Sequence, residues 1–142
     1  MSVRTDPRPH GRRSRWLLAA LLAATGAAHI AIPTTFERII PRWLPGGPRV
    51  LNRLATAAEL GSAALLASDG TAQAGGTLAF VTLTGVWIAN VQAAADGGYR
   101  GLPGWLGGPT AAWLRVPLQV PLLWWAATIA RRPQDDPEDL GI

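Results

Sequence analysis

The sequence predicts an all-α protein, a transmembrane antiparallel four-helix bundle with a short interfacial helix after the first span. Hydrophobic residues make up 49% of the 142 residues and charged residues only 15%. Between Leu54 and Ala95 only Glu59 and Asp69 carry a formal charge. A surface helix of a soluble protein needs a polar outer face, which these segments lack. We therefore expect lipid to cover their outer faces.

Four apolar segments have a length suited to crossing a bilayer as helices, since about 20 residues rising ~1.5 Å each span its hydrocarbon core. Residues rich in Gly, Pro and Asp separate them, as is typical of loops and turns. The predicted spans are residues 16–32, 50–67, 72–93 and 111–130. We expect residues 1–15 to be a disordered, arginine-rich cytoplasmic tail and residues 131–142 to be a charged C-terminal tail.

The segment after the first span has the pattern of a short amphipathic helix. Its charged residues Glu37, Arg38 and Arg42 fall on one side of such a helix. Its apolar residues, which fall on the other side, are Phe36, Ile39, Ile40 and Trp43. A helix of this kind is suited to lie in the membrane interface.

All 13 basic residues are arginine, and their placement favours a membrane orientation over nucleic-acid binding. The two tails hold seven arginines, and the opposite face holds five when Arg53 at the start of the second span is counted with the four of its loops. Positive charge tends to stay on the cytoplasmic side. We therefore expect a multi-pass protein of the plasma (inner) membrane with both termini in the cytoplasm. Arg12-Arg13 also resembles the start of a twin-arginine secretory signal, but more apolar spans follow it, so a retained span is the favoured interpretation.

A carboxylate, Glu59, lies in the middle of the second span. An ionisable group in hydrocarbon requires a partner, water or a proton. With the span ends above, each of the four spans contributes polar side chains to the half nearest the outer face. We predict a polar layer in which Arg115 pairs with Glu59. Its members, with a ligand-binding or a structural role, are His29, Glu59, Asn90, Arg115 and Gln119.

The predicted layer has two interpretations, which do not exclude each other. In the structural one, a Glu59–Arg115 pair fixes the helix register. In the functional one, the layer receives a small molecule, a proton or a quinone head group. We expect no metal site, because one histidine and one carboxylate fall short of three protein ligands. The absence of cysteine excludes thiol chemistry, and no residue is assigned a catalytic role.

Four short motifs follow one another along the chain: Gly26-Ala27-Ala28-His29 followed by Pro33 and Phe36, Ala58-Glu59-Leu60-Gly61, Ala89-Asn90, and Arg115-Val116-Pro117-Leu118-Gln119. In this order they resemble the motifs of the DoxX-like family of small four-helix integral membrane proteins. The resemblance covers about residues 16–130. The turn at residues 68–71 departs from it, because it lacks the arginines usual there.

The resemblance implies four transmembrane helices and a loose kinship to subunits of thiosulfate:quinone oxidoreductase. It favours an accessory subunit of a membrane redox or oxidative-stress system, rather than an enzyme acting on its own. A quinone is then the candidate cofactor, and the lipid bilayer, a redox partner protein or a second copy of the chain are the candidate partners. Two alternatives stay open: a small proton-coupled transporter of a hydrophobic or weakly acidic solute, and a purely structural membrane protein. We expect no nucleic-acid partner.

Overall fold

The structure, a computed structural model, describes residues 9–131. These residues form six α-helices and one short 3-10 turn and contain no strand, which confirms the all-α prediction. The four long helices are α1 (Pro9–Ala31), α3 (Gly47–Ala67), α4 (Ala72–Ala95) and α6 (Pro109–Ala130). The two short helices are α2 (Pro33–Glu37) and α5 (Gly104–Gly107).

Helix α1 begins earlier than the sequence suggests. Residues 9–15, which we expected to be disordered, form its first turns. Arg12 Nη2 donates to Asp69 Oδ2 at 2.8 Å, and Arg15 pairs with the other oxygen of that carboxylate. Trp125 Nε1 donates to Ser14 Oγ at 2.7 Å. The prediction of disorder is wrong here because partners distant in sequence hold this stretch. Residues 1–8 and 132–142 of the predicted tails lie outside the described part.

Three pairs of long helices pack against each other: α1 on α3, α3 on α4, and α4 on α6. Arg15 near the start of α1 lies beside Asp69 after the end of α3. Between α4 and α6, Trp87 Nε1 donates to the carbonyl of Val116 at 3.0 Å. An apolar core connects all four long helices; its largest members are Leu18, Leu22, Leu66, Leu83 and Ile129.

Two adjacent glycines set how closely α4 approaches its neighbours. A Cβ atom at Gly75 would lie 2.7 Å from the main-chain nitrogen of Leu66 in α3. A Cβ atom at Gly76 would lie 2.7 Å from the main-chain nitrogen of Ala130 in α6. Small residues of this kind let helix backbones come together, so α4 contacts both neighbours through its first turns.

Helix α2 is shorter than the predicted amphipathic segment. Pro33 suits the first helical position because its missing N–H needs no partner there. Pro41 disfavours helical geometry at the residue before it, and the chain from Arg38 to Leu44 forms turns instead. The short helix is therefore present, and its position in a membrane interface stays a prediction.

Within residues 9–131, two helical stretches are long and apolar enough to cross a membrane: Gly11–Ala31 and Asp69–Ala95. In the apolar 18-residue window of each stretch, only 28% and 33%, respectively, is buried inside the protein. Helices α3 and α6, with 21 and 22 residues, have sufficient length. They are less hydrophobic than the two stretches above, because α3 contains three charged residues and α6 contains three prolines and one arginine.

Candidate functional site

A cluster of buried polar side chains lies where α1, α2 and α3 meet. It consists of His29, Asn52 and Glu59, whose exposed fractions are 7%, 3% and 2%. Asn52 and Glu59 are seven residues apart, which places them two turns apart on one face of α3. His29 in the last turn of α1 faces both of them. The cluster thus combines an imidazole, an amide and a carboxyl group away from solvent.

The hydrogen bonds around Asn52 define which nitrogen of His29 carries a proton. Asn52 Nδ2 points to the main-chain oxygen of His29, at 3.5 Å, so its Oδ1 faces His29 Nδ1, at 2.6 Å. An amide oxygen only accepts, and therefore Nδ1 is the donor. In a neutral imidazole the other nitrogen, Nε2, then holds a lone pair.

Glu59 lies on the Nε2 side of that imidazole. His29 Nε2 and Glu59 Oε2 are 3.8 Å apart, longer than a hydrogen bond. Among the described residues Oε2 has no hydrogen-bond partner, although Thr25 lies beside the carboxyl group. A proton on either His29 Nε2 or Glu59 would give the two atoms a donor and an acceptor. Either group can therefore carry the one proton that makes the pair neutral, while at 3.8 Å the two atoms do not share it in a hydrogen bond.

The ring of Phe36 covers the cluster from α2. Its centroid lies 3.8 Å from that of the His29 ring, and the two planes are inclined by 22°. This stacking shields the imidazole and fixes its orientation. Gly26, one turn before His29, allows α1 and α3 to approach: a Cβ atom there would lie 2.9 Å from the Leu60 side chain.

A second polar cluster joins α4, the loop after it and α6. The hydroxyl of Tyr99 donates to Asn90 Oδ1. The guanidinium carbon of Arg115 lies 4.6 Å from the centroid of the Tyr99 ring, a cation–π arrangement. Arg115 Nη2 also donates to the carbonyl of Leu106 at 2.6 Å. Burial raises the pKa of the Tyr99 hydroxyl, and the charge of Arg115 opposes that rise only in part.

The structure therefore divides the predicted polar layer into two clusters. His29 and Glu59 belong to the first, and Asn90 and Arg115 to the second. No ion pair joins Glu59 to Arg115 within residues 9–131, so the predicted pairing is wrong. Each charged group has a nearer partner on a neighbouring helix. Gln119 is buried, at 6% exposure, and its side chain bonds to neither cluster.

Two participants were missed by sequence reasoning. Asn52 was placed at the edge of the predicted second span, although its spacing of seven from Glu59 is a signal for one helix face. Tyr99 was placed in a loop, and the close approach of that loop to α4 and α6 has no local sequence signal. The backbone N–H of Tyr99 donates to the Gly107 carbonyl at 2.6 Å, which holds the loop in place.

The chemistry that the first cluster offers is proton exchange and hydrogen bonding. Its hydroxyl neighbours are engaged with main-chain carbonyls: Ser62 donates to Ala58 and Thr25 to Leu22. In the part of the chain that the structure describes, no three His, Asp or Glu side chains are grouped to hold a metal ion.

Comparisons with known proteins place the chain in a family without assigning an activity. No curated protein and no solved structure matches the sequence. One family model matches residues 18–130, which include all members of both polar clusters. The chain belongs to the family described as Domain of unknown function (DUF8561).

Proposed function

We propose that the protein is a multi-pass integral membrane protein whose four long helices form an antiparallel transmembrane bundle. Support comes from the placement of polar and apolar side chains, which is the reverse of that in a water-soluble protein. Buried positions hold His29, Asn52 and Glu59, whereas exposed positions on every long helix hold large apolar side chains. Water would penalise such a surface, and lipid would not. The exposed apolar residues include Leu17, Leu54, Val81, Leu118 and Trp124.

We further propose that this bundle acts as a small proton-coupled carrier, with the His29–Glu59 pair as its proton site. The observation that carries this proposal is the 3.8 Å approach of Nε2 to an Oε2 atom that lacks a hydrogen-bond partner among the described residues. Ionisable groups inside a membrane protein commonly mark proton relays or substrate pathways. One proton neutralises this pair, so its gain or loss changes the charge of the bundle interior.

The solute class that fits such a site is small and weakly acidic or hydrophobic. A weak acid crosses with its proton, and a site that exchanges one proton matches that stoichiometry. The apolar surroundings of the cluster disfavour a large, strongly hydrated ion. The carrier is proposed to lie in the plasma (inner) membrane with both termini in the cytoplasm.

Uptake of radiolabelled benzoic acid by proteoliposomes under an imposed pH gradient tests this function. The wild-type chain should accelerate uptake, and Glu59→Gln should abolish the acceleration while leaving the protein folded. Glu37→Gln is the matched control, because Glu37 lies in α2 and faces Arg49 at 3.9 Å instead of His29. Equal uptake by wild type and Glu59→Gln would contradict the proposed proton site.

A second candidate is an accessory, quinone-binding subunit of a membrane redox system, as the DoxX-like resemblance implies. The observation that favours it is the stacked pair of His29 and Phe36 beside Asn52. A quinone ring stacks on aromatic surfaces, and a quinone carbonyl oxygen accepts a hydrogen bond, which His29 Nε2 can donate when the imidazole is protonated. Purification in mild detergent, followed by extraction of bound quinone, tests it. A quinone-free protein that still takes up benzoic acid would favour the carrier.

A further inference from the structure

An open cleft of about 1010 Å³ lies at the end of the molecule where α1 and α4 end. One wall comes from the segment that follows α1, and the other from the loop that follows α4. The charged residues that line the cleft are Glu37, Arg38, Arg42, Asp96 and Arg100.

Three guanidinium groups in this cleft are available to a ligand. The side chains of Arg38, Arg42 and Arg100 form no ion pair and no hydrogen bond with any residue between 9 and 131, and all three residues are exposed. The two carboxylates of the cleft already have neighbours. Glu37 faces Arg49 at 3.9 Å, and Asp96 accepts a hydrogen bond from Gln92 at 2.9 Å. The cleft therefore holds three guanidinium groups and two carboxylates, and none of the three guanidinium groups is paired with either carboxylate.

An apolar groove of about 290 Å³ is lined by residues that neighbour those of the cleft along the chain. The same two chain segments line both: Arg42 of the cleft lies between Pro41 and Trp43 of the groove, and Asp96 of the cleft follows Ala95. On α4 the groove follows one helix face at spacings of three and four residues. Its α4 residues are Trp87, Ile88, Val91, Gln92 and Ala95.

We propose that this composite surface binds one anionic phospholipid molecule. Arg38, Arg42 and Arg100 bind the head-group phosphate, and the groove beside Trp43 holds the start of an acyl chain. Planar guanidinium groups bind phosphate oxygens in bidentate fashion, whereas the apolar groove gains only from a ligand with a hydrocarbon chain. A free phosphate ion would use the arginines and leave the groove without an occupant. This assignment rests on the membrane location proposed above and not on the proton site.

Native mass spectrometry of the full chain in detergent tests the proposal. The probes are phosphatidylglycerol, phosphatidylcholine with the same acyl chains, glycerol phosphate and inorganic phosphate. We expect phosphatidylglycerol to bind about tenfold more tightly than phosphatidylcholine, a preference that weakens as ionic strength rises. Glycerol phosphate and inorganic phosphate should bind far more weakly than phosphatidylglycerol.

Two matched double variants show whether the cleft is responsible. Arg42→Gln with Arg100→Gln should remove the preference for phosphatidylglycerol. Arg13→Gln with Arg131→Gln removes the same charge from exposed positions at the other end of the molecule and should leave the preference intact. Thermal unfolding of both variants checks that they are folded. If the double variant with Arg42→Gln and Arg100→Gln does not fold, the single variant Arg42→Gln replaces it.

Each other result would overturn the proposal. Equal affinity for the two lipids, or equal losses in the two double variants, would remove the cleft as a lipid site. Tight binding of glycerol phosphate would assign the arginines to a soluble phosphorylated ligand. Glu59→Gln should keep the lipid preference, so a failed carrier proposal is distinguishable from a failed lipid site. A chain that stays folded and monodisperse without detergent would contradict the membrane location itself.

Discussion

His29 and Glu59 face each other across the contact between α1 and α3, with Nε2 of the imidazole 3.8 Å from Oε2 of the carboxyl group. The other imidazole nitrogen is committed to Asn52, so only Nε2 can exchange a proton with Glu59. Two groups coupled in this way titrate as a pair, and a measured proton affinity belongs to both. With one exchangeable proton the pair is neutral overall, whether that proton lies on the carboxyl oxygen of Glu59 or on Nε2 of His29.

Substitutions at the pair should separate these two arrangements. If the proton lies on Glu59, Glu59→Gln keeps a neutral donor beside Nε2, and the free energy of unfolding should change by less than about 1 kcal/mol. His29→Ala leaves both Asn52 and Glu59 without their partner and should cost roughly 2–4 kcal/mol. Thermal and denaturant unfolding in detergent, followed by tryptophan fluorescence, measures both. A large loss in Glu59→Gln would instead show an imidazolium–carboxylate pair.

Glu59 and Arg115 should act independently. They belong to different clusters, and Arg115 contacts Tyr99 and the Leu106 carbonyl. In a double-mutant cycle of Glu59→Gln and Arg115→Met, the stability changes should add to within about 0.5 kcal/mol. The same cycle between His29 and Glu59 serves as the comparison and should show clear coupling. Strong coupling between Glu59 and Arg115 would restore the pairing that the sequence suggested.

Replacing a glycine of α4 by alanine should have opposite effects on stability at two positions, because one glycine faces a neighbouring helix and the other faces open space. Gly75→Ala places a Cβ atom 2.7 Å from the backbone of Leu66, so the helices must separate, and stability should fall by about 1–3 kcal/mol. Gly85 lies in the same helix with nothing within 4 Å of such an atom. Gly85→Ala should therefore stabilise the helix by up to about 1 kcal/mol. Unfolding in detergent compares the two, and a stabilising Gly75→Ala would contradict the close contact.

The hydroxyl of Tyr99 should stay protonated at a pH where an exposed tyrosine ionises. Its pKa is raised above the ordinary value of 10.0 because the side chain is buried. The folded state therefore binds this proton more tightly than the unfolded state does. The resulting stability is fully present below pH 10.0 and is lost as the pH rises through the raised pKa.

Ultraviolet titration of the tyrosinate band measures this ionisation, since the chain has one tyrosine. Tyr99→Phe provides the blank and should also remove the hydrogen bond to Asn90, at a cost of about 1 kcal/mol. A tyrosine that titrates at its ordinary pKa would show that the loop does not bury it.

Much of the helical framework follows from composition and local chemistry. Apolar runs broken by Pro45-Gly46, by Ser68-Asp69-Gly70 and by the glycine-rich stretch from Asp96 to Gly104 predict four long helices, because glycine, proline and short polar residues favour turns. The first residues of α1 were mispredicted since their partners, Asp69 and Trp125, lie more than 50 positions away. A pattern within a short window carries no information about such contacts.

For the polar site, too, local sequence predicts one part and contacts between distant residues decide the other. Glu59 stands out in its apolar segment, and that alone predicts a buried group in need of a partner. Which partner it meets depends on which helices pack together: α1, which carries His29, packs against α3, whereas α6, which carries Arg115, packs against α4. Sequence by itself determined an all-α chain with isolated polar groups inside apolar helices, since composition and periodicity act locally. Only the tertiary structure decided that His29 of α1 faces both Asn52 and Glu59 of α3, because the pairing of helices sets which faces meet.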